Sequence, residues 1–212
     1  TQMQSVMIEL SVSSENMTKA VPTASETAIN SLRIYAFYGE RLAGYAEKGT
    51  VMGDTPFYMD LELPATGIHE VDFYVIANEA QMAYQNSVVT LSKSMTRSQL
   101  ESVRFTGLTS GDALPMYSLQ KEEINVDQII SSANSEPGHE GHHILTKKVQ
   151  LKLSRSLAKI SLYAAKVEGS SATPQLLDAK ILAAGTRTYS YLFPQSPETL
   201  SAVTARPNDR TI

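Results

Sequence analysis

Alternation of apolar and polar residues with a period of two runs through much of this chain, the pattern of strands that bury one face. Residues 5–12, SVMIELSV, set Val6, Ile8, Leu10 and Val12 on one side and Met7, Glu9 and Ser11 on the other, which predicts a half-buried strand. Over residues 29–38, Leu32, Ile34, Ala36 and Tyr38 share one phase while Arg33, Tyr35 and Phe37 hold the other, so both faces of that strand should be partly covered. Phe57, Met59, Leu61 and Leu63 form a third run, PATG turns the chain, and Val71, Phe73 and Val75 form a fourth. Runs three and four predict an antiparallel hairpin.

The stretch KKVQLKLSRSLAKISLYA, residues 147–164, breaks this regularity. Val149, Leu151, Leu153 and Leu157 are in phase, yet Arg155 sits among them, and after Leu157 the apolar positions become Ala158, Ile160, Leu162 and Ala164. A guanidinium where the phase changes is unusual for a buried strand face.

Elsewhere the period of two lapses. Residues 13–28 are small and polar and read as a long loop whose only basic residue is Lys19. Thr96 with Gln99, or Ser98 with Glu101, suits a capping box, predicting a short helix from about Arg97 to Arg104. SGDALPMYS has turn chemistry leading into a short extended piece, and SSANSEPGHEGHH, residues 131–143, is the strongest linker signal. LLDAKILAAGTRTYSYLF predicts one or two more strands, with a helix as alternative for its first half, and the proline-containing tail shows little periodicity.

Many short strands with few helices argue for a mainly β chain of β-sandwich architecture. The expected division is an N-terminal sandwich domain over residues 1–143, and over 144–212 the start of a second, which is too short for an independent core.

Composition narrows the function classes. With 212 residues and a net charge of −4, and with no basic stripe interleaved with aromatics, nucleic acid is not an expected partner. No apolar run reaches the roughly 18 residues of a membrane-spanning helix, and no charged-then-apolar N-terminal segment reads as a signal peptide, so any targeting segment is expected to have been removed. Cysteine is absent, which excludes disulfides and thiolate chemistry without fixing a compartment.

Candidate chemistry is sparse. His139, Glu140, His142 and His143 form the only cluster of metal-ligand types, but Gly138 and Gly141 oppose the helix that a zinc-protease motif needs, so the cluster reads as a solvated linker with no metal site. No nucleophile elbow, phosphate loop or dinucleotide fingerprint occurs, and Asp54, Asp60, Glu62 and Asp72 read as the solvent face of strands and turns. No enzyme and no cofactor are expected. Tyr35, Tyr58 and Tyr74 could line a sugar-stacking surface, although Tyr on strands more often serves sheet packing.

The order of segments carries more information than any single motif. A first strand before a polar loop is followed by SETAINSLRIYAFYGERLAGY, by FYVIANEA ending in Ala77 and Asn78, by a short helix, by the turn Leu114-Pro115-Met116, and by the strand holding Arg155, Ala158, Lys159 and Ile160. This order resembles the fimbrillin superfamily of Bacteroidetes, the type V pilins with their minor and anchoring subunits. The resemblance spans residues 5–164.

It implies two transthyretin-like β-sandwich domains, export as a lipoprotein whose acylated cysteine precedes this chain, and a place in surface fimbriae at the outer membrane that support adhesion. The membrane would be met only through that lipid. The resemblance also implies assembly with other fimbrial subunits by strand addition, after a processing protease cuts behind the first strand. Val6, Ile8, Leu10 and Val12 would then be the exchanged side chains, and the cut would fall at Lys19-Ala20, where the family commonly has arginine. Arg155 and Lys159 would lie at the interdomain contact, with Arg155 on a bulged or switching strand and paired to carbonyls or a carboxylate of the first domain. A host or bacterial surface molecule is a further possible ligand. The rival expectation is a surface lipoprotein of similar fold that binds glycans and never polymerises.

Overall fold

The computed structural model describes residues 2–14, 28–52, 55–85, 87–106, 113–130, 141–156, 168–169, 171, 180–183, 190–195 and 208–211. The chain is mainly β. Its principal sheet has seven strands in the order β3-β2-β5-β9-β10-β1-β4. In chain order these are β1 (Met3–Ser14), β2 (Leu32–Tyr38), β3 (Arg41–Lys48), β4 (Phe57–Pro64), β5 (Ile68–Ala77), β9 (Met116–Asn125) and β10 (His143–Arg155). A smaller sheet, ordered β12-β8-β6-β7, joins β6 (Gln81–Tyr84), β7 (Ser87–Val89), β8 (Arg104–Thr106) and β12 (Ser190–Tyr191). A pair is formed by β11 (Lys180–Ala183) and β13 (Asn208–Thr211). The helix α1 spans Arg97–Glu101.

The seven-stranded sheet curls into a sandwich around one core. Val6, Ile8, Leu10 and Val12 of β1 meet Ile34 and Ala36 of β2, Met59, Leu61 and Leu63 of β4, Val71, Phe73 and Val75 of β5, and Val149, Leu151 and Leu153 of β10. The opposite phase of β2 and β5 is also apolar and supports a second core: Tyr35, Phe37, Tyr74 and Ile76 pack under Met82, Leu91, Leu100, Phe105, Leu192 and Phe193. Two apolar phases on one strand thus mean two covered faces, as read for β2.

The expected hairpin of residues 57–63 with 71–77 does not form. β4 pairs with β1, whereas β5 pairs with β2 and β9. The physical reason lies in the two strands' faces: β4 has one apolar phase, while β5 buries Val71–Ala77 without a break and needs cover on both sides. The turn at Ala65–Gly67, with Gly67 at φ 95°, therefore carries the chain from one half of the sandwich to the other.

Two seams close the sandwich. β10 pairs with β1 from Val6↔His143 to Ser14↔Leu153, then turns to β9 at Ser154↔Tyr117 and Arg155↔Met116. Where β9 and β10 diverge, side chains bridge them: Lys147 Nζ reaches the Glu123 carbonyl at 2.8 Å and Glu122 at 2.6 Å, and Gln120 Nε2 donates to the Gln150 carbonyl at 3.1 Å. Burial of Glu122 disfavours its charge, but the hydrogen bonds from Lys147 and Gln120 outweigh this and lower its pKa. At the other seam β3 lies against β4, with Gly44 facing Asp60 and Leu61.

β10 belongs to the same sheet as β1, and its last paired residues are Ser154 and Arg155 against β9. Further along, Ser190–Phe193 also packs on this body, through β12 against β8 and a hydrogen bond from Leu192 N to the Val103 carbonyl.

The capping box forms as read. Thr96 Oγ1 accepts from Gln99 N at 3.2 Å and Gln99 Oε1 accepts from Thr96 N at 2.9 Å. The helix is shorter than the expected Arg97–Arg104, because Arg104 already begins β8. Arg97 fixes it to the sheet through Asp72 at 2.8 Å, and Tyr74 donates its hydroxyl to Glu101 at 2.6 Å.

Asn78 holds the end of the sandwich where β5 stops. Its backbone has φ 55°, and its buried side chain donates to the carbonyls of Ala28 (2.8 Å) and Leu114 (3.0 Å) while accepting from Asn30 N (2.8 Å). One side chain thus ties three chain segments. Asn78→Ala strands these groups and should destabilise the fold by about 2–4 kcal/mol, measured by urea unfolding.

A candidate strand-exchange site

β1 is an internal strand, antiparallel to β4 and parallel to β10. Its four inward side chains, Val6, Ile8, Leu10 and Val12, are fully buried in the main core. Burial at about 1.5–3 kcal/mol each amounts to roughly 6–12 kcal/mol, comparable with the whole stability of an ordinary domain. The strand is indispensable to the core. It is joined to β2 through residues 15–31, of which Ala28–Ser31 are described.

The hydrogen-bonded support of β1 is staggered. β4 pairs with Met3–Leu10, whereas β10 pairs with Val6 and Met7 and then with Glu9–Ser14. The register jumps between Met7↔Ile144 and Glu9↔Lys148, leaving β10 two residues longer there. In that bulge Thr146 N donates to the Gln128 carbonyl and Leu145 bridges Ile129, so β10 looks away from β1 opposite Ile8. Val6, Met7, Glu9 and Leu10 are therefore the residues partnered on both sides, and each end of β1 is held on one side alone.

The outward face of β1 is not the plain solvent face that alternation suggested. Met7 has 0% exposure. It pairs with Asp60 on β4 and Ile144 on β10, and His142 Nδ1 lies 3.0 Å from Asp60 Oδ1. His142 precedes β10 and Asp60 belongs to β4, so their contact crosses over β1 between Ser5 and Met7. One step further, Glu9 lies between Lys148, 3.3 Å away, and Tyr58, whose hydroxyl is at 3.4 Å. Sequence patterning missed both contacts, since alternation assigns residues to faces without showing which side chains reach across.

Arg155 is the last residue of β10, paired with Met116 just beyond the point where β10 changes partner from β1 to β9. Among the described residues its Nε and Nη2, both shut off from solvent, find no hydrogen-bond partner. The β10 backbone instead closes the strand, with Ser156 N donating to the Pro115 carbonyl. Lys19, Ala20 and Lys159 lie outside the described residues.

Other candidates thin out. His139 and Glu140 lie outside the described residues, and among the described residues no group of three or more His, Cys, Asp or Glu could hold a metal ion. Tyr35 and Tyr74 are buried in the second core and cannot stack on a sugar; their burial pushes both phenols above their ordinary pKa. Tyr58 is half-buried beside Glu9. Of the four carboxylates read as solvated, Asp72 is instead buried and paired with Arg97, and Asp54 lies outside the described residues. No helix among the described residues is long and apolar enough to cross a membrane.

Solved structures share this fold. A fimbrial assembly protein from Parabacteroides distasonis superposes with a TM-score of 0.55 at 14% identity, covering 99% of this chain and 73% of that one. A putative cell adhesion protein from the same species gives 0.45 at 19% identity over 98% and 63% of the two chains. The tip fimbrial protein from Porphyromonas gingivalis with C-terminal truncation gives 0.43 at 11% identity over 92% and 60%. No curated protein matches the chain. The model of the major fimbrial subunit protein (FimA) family matches residues 6–155, which begin inside β1 and end on the last residue of β10. Those residues take in all seven strands of the principal sheet except Met3–Ser5 of β1, and by this match the chain belongs to the major fimbrial subunit protein family.

Proposed function

We propose that this chain is a structural subunit of cell-surface fimbriae that assembles by strand addition, with β1 as the element that is replaced. The observation that carries the reading is the position of β1: an internal strand with four fully buried side chains, supplied by the extreme N-terminal part of the sheet and bracketed by β4 and β10. Removing it opens a groove with two unpaired backbone edges and four empty side-chain sockets, which an incoming strand restores by main-chain hydrogen bonds and apolar contacts. The staggered ladder suits stepwise replacement, because Met3–Ser5 and Ser11–Ser14 each give up one set of bonds before the doubly held middle is reached.

In this reading the chain is cut at Lys19-Ala20 by a lysine-directed protease, and a lipid anchor attached upstream carries the subunit to the outer membrane. Residues beyond Ser156 begin a second domain, with Arg155 and Lys159 at the contact between the two. The fimbria supports adhesion. Limited digestion with a lysine-specific protease tests the cut: the first bond broken under native conditions should be Lys19-Ala20, with residues 1–19 staying bound until a competing strand is added. First cleavage elsewhere, with that bond intact, would rule out the processing step.

A further inference from the structure

The groove that β1 occupies is selective on its outward side as well as its inward side, and this bears on which strand can replace β1. Asp60 and Glu62 of β4 stand beside Met7 and Ser5, whereas Lys148 and Lys152 of β10 stand beside Glu9 and Ser13. The outer rim is therefore acidic towards the start of β1 and basic towards its end. Arg41 partners Glu62 and His142 partners Asp60, while Lys148 is met by Glu9 of β1 itself. Cross-strand neighbours of opposite charge favour pairing and like charges oppose it. At the Met7 position the requirement differs: the side chain is fully buried, with Asp60 and Ile144 as its register partners, so a carboxylate there would lose its hydration beside another carboxylate.

We propose that the groove recognises a strand from another fimbrial subunit by a specific pattern, apolar at the positions of Val6, Met7, Ile8, Leu10 and Val12 and acidic at that of Glu9, running parallel to β10. The inference rests on the strand-addition reading and adds the chemistry of the partner to it. Direction follows from the Met7 position, since reversing the strand over the same four inward sockets keeps the carboxylate beside Lys148 but puts Ser11 in the fully buried place of Met7 and Met7 in the half-exposed place of Ser11. Five apolar positions with one intervening carboxylate distinguish such a strand from a simple alternating one, because Met7 breaks the alternation.

The test uses the full chain with a sequence-specific protease site inserted between Ser14 and Ala28, cut, and offered labelled twelve-residue peptides with the sequence of β1, its Glu9→Lys form or its Met7→Glu form. The same peptides are offered to the chain carrying Lys148→Glu, a substitution at a side chain 68% exposed that leaves the core untouched. Native mass spectrometry reads the bound fraction. The unaltered peptide should be captured at least about fivefold better than the Glu9→Lys peptide by the parent chain, with this preference inverted by Lys148→Glu, and the Met7→Glu peptide should be captured by neither. Equal capture of the unaltered and Glu9→Lys peptides by both chains would overturn the charge selection while leaving strand addition standing. Capture of no peptide at all would overturn strand addition and this inference with it.

Discussion

Leu10→Asp should leave the chain unfolded in buffer. Leu10 is fully buried, at the point where β1 is hydrogen-bonded on both sides, with Phe57 opposite on β4 and Val149 on β10. Truncating such a side chain to Ala typically costs about 2–5 kcal/mol, and burying an unpaired carboxylate adds several more, which together exceed what a domain of ordinary stability can lose. Ser11→Asp, one residue on and outward-facing, should change stability by no more than about 0.5 kcal/mol. Far-ultraviolet circular dichroism and urea unfolding of the two variants give the comparison, and a folded Leu10→Asp chain of near-parental midpoint would remove β1 from the core.

Gly44→Val should be the next most damaging single change, because it opens the seam between β3 and β4. A Cβ at this position would lie 2.5 Å from the Asp60 carbonyl oxygen and 2.7 Å from Leu61 Cδ2. The first of these contacts is backbone, held in register by β1 through Met7↔Asp60, and cannot rotate away. Overpacking of this kind costs about 1–3 kcal/mol; Ala should fall near the upper end and Val beyond it. Gly49→Ala, where an added Cβ meets nothing within 4 Å, should be neutral. Thermal unfolding of the three variants checks the order, and equal melting temperatures for Gly44→Val and Gly49→Ala would mean that the seam does not close there.

The fold was legible in the sequence where periodicity alone decides it. The phase of Val6, Ile8, Leu10 and Val12 predicted the inward face of β1, and the double phase of Ile34 and Ala36 against Tyr35 and Phe37 predicted that β2 lies between two cores. The capping box at Thr96 and Gln99 was readable because four residues contain all its chemistry. Periodicity does not say which strands are neighbours, so β4 and β5, adjacent in sequence and both alternating, read as a hairpin while belonging to opposite halves of the sandwich. The strand RLAGYAEK went unread because Ala43 and Gly44 are small where β3 crowds β4, and small residues carry little strand signal.

At the site, the inward residues were legible and the outward ones were not. Met7 is fully buried although alternation puts it on the outward face, and its register partners, Asp60 on β4 and Ile144 on β10, come from parts of the chain far apart in sequence. Arg155 drew notice through its odd phase, and its place explains the break: at Ser154 the strand leaves β1 for β9, so the periodic face it had followed ends there. Asn78, which marked the family resemblance, proves to be a three-way tie at positive φ, the kind of position that few residues other than Asn and Gly can fill.

A covalent lock on β1 tests the central claim most directly. The chain has no cysteine, so Ser5→Cys with Glu62→Cys, opposed partners on β1 and β4, introduces a single possible disulfide. With the chain cut between Ser14 and Ala28, the reduced form should take up a labelled β1-sequence strand, seen by native mass spectrometry as release of the original residues, and the oxidised form should take up none. Equal uptake by the oxidised and reduced forms would contradict the account, because a strand that cannot leave would then be no obstacle to the one that enters.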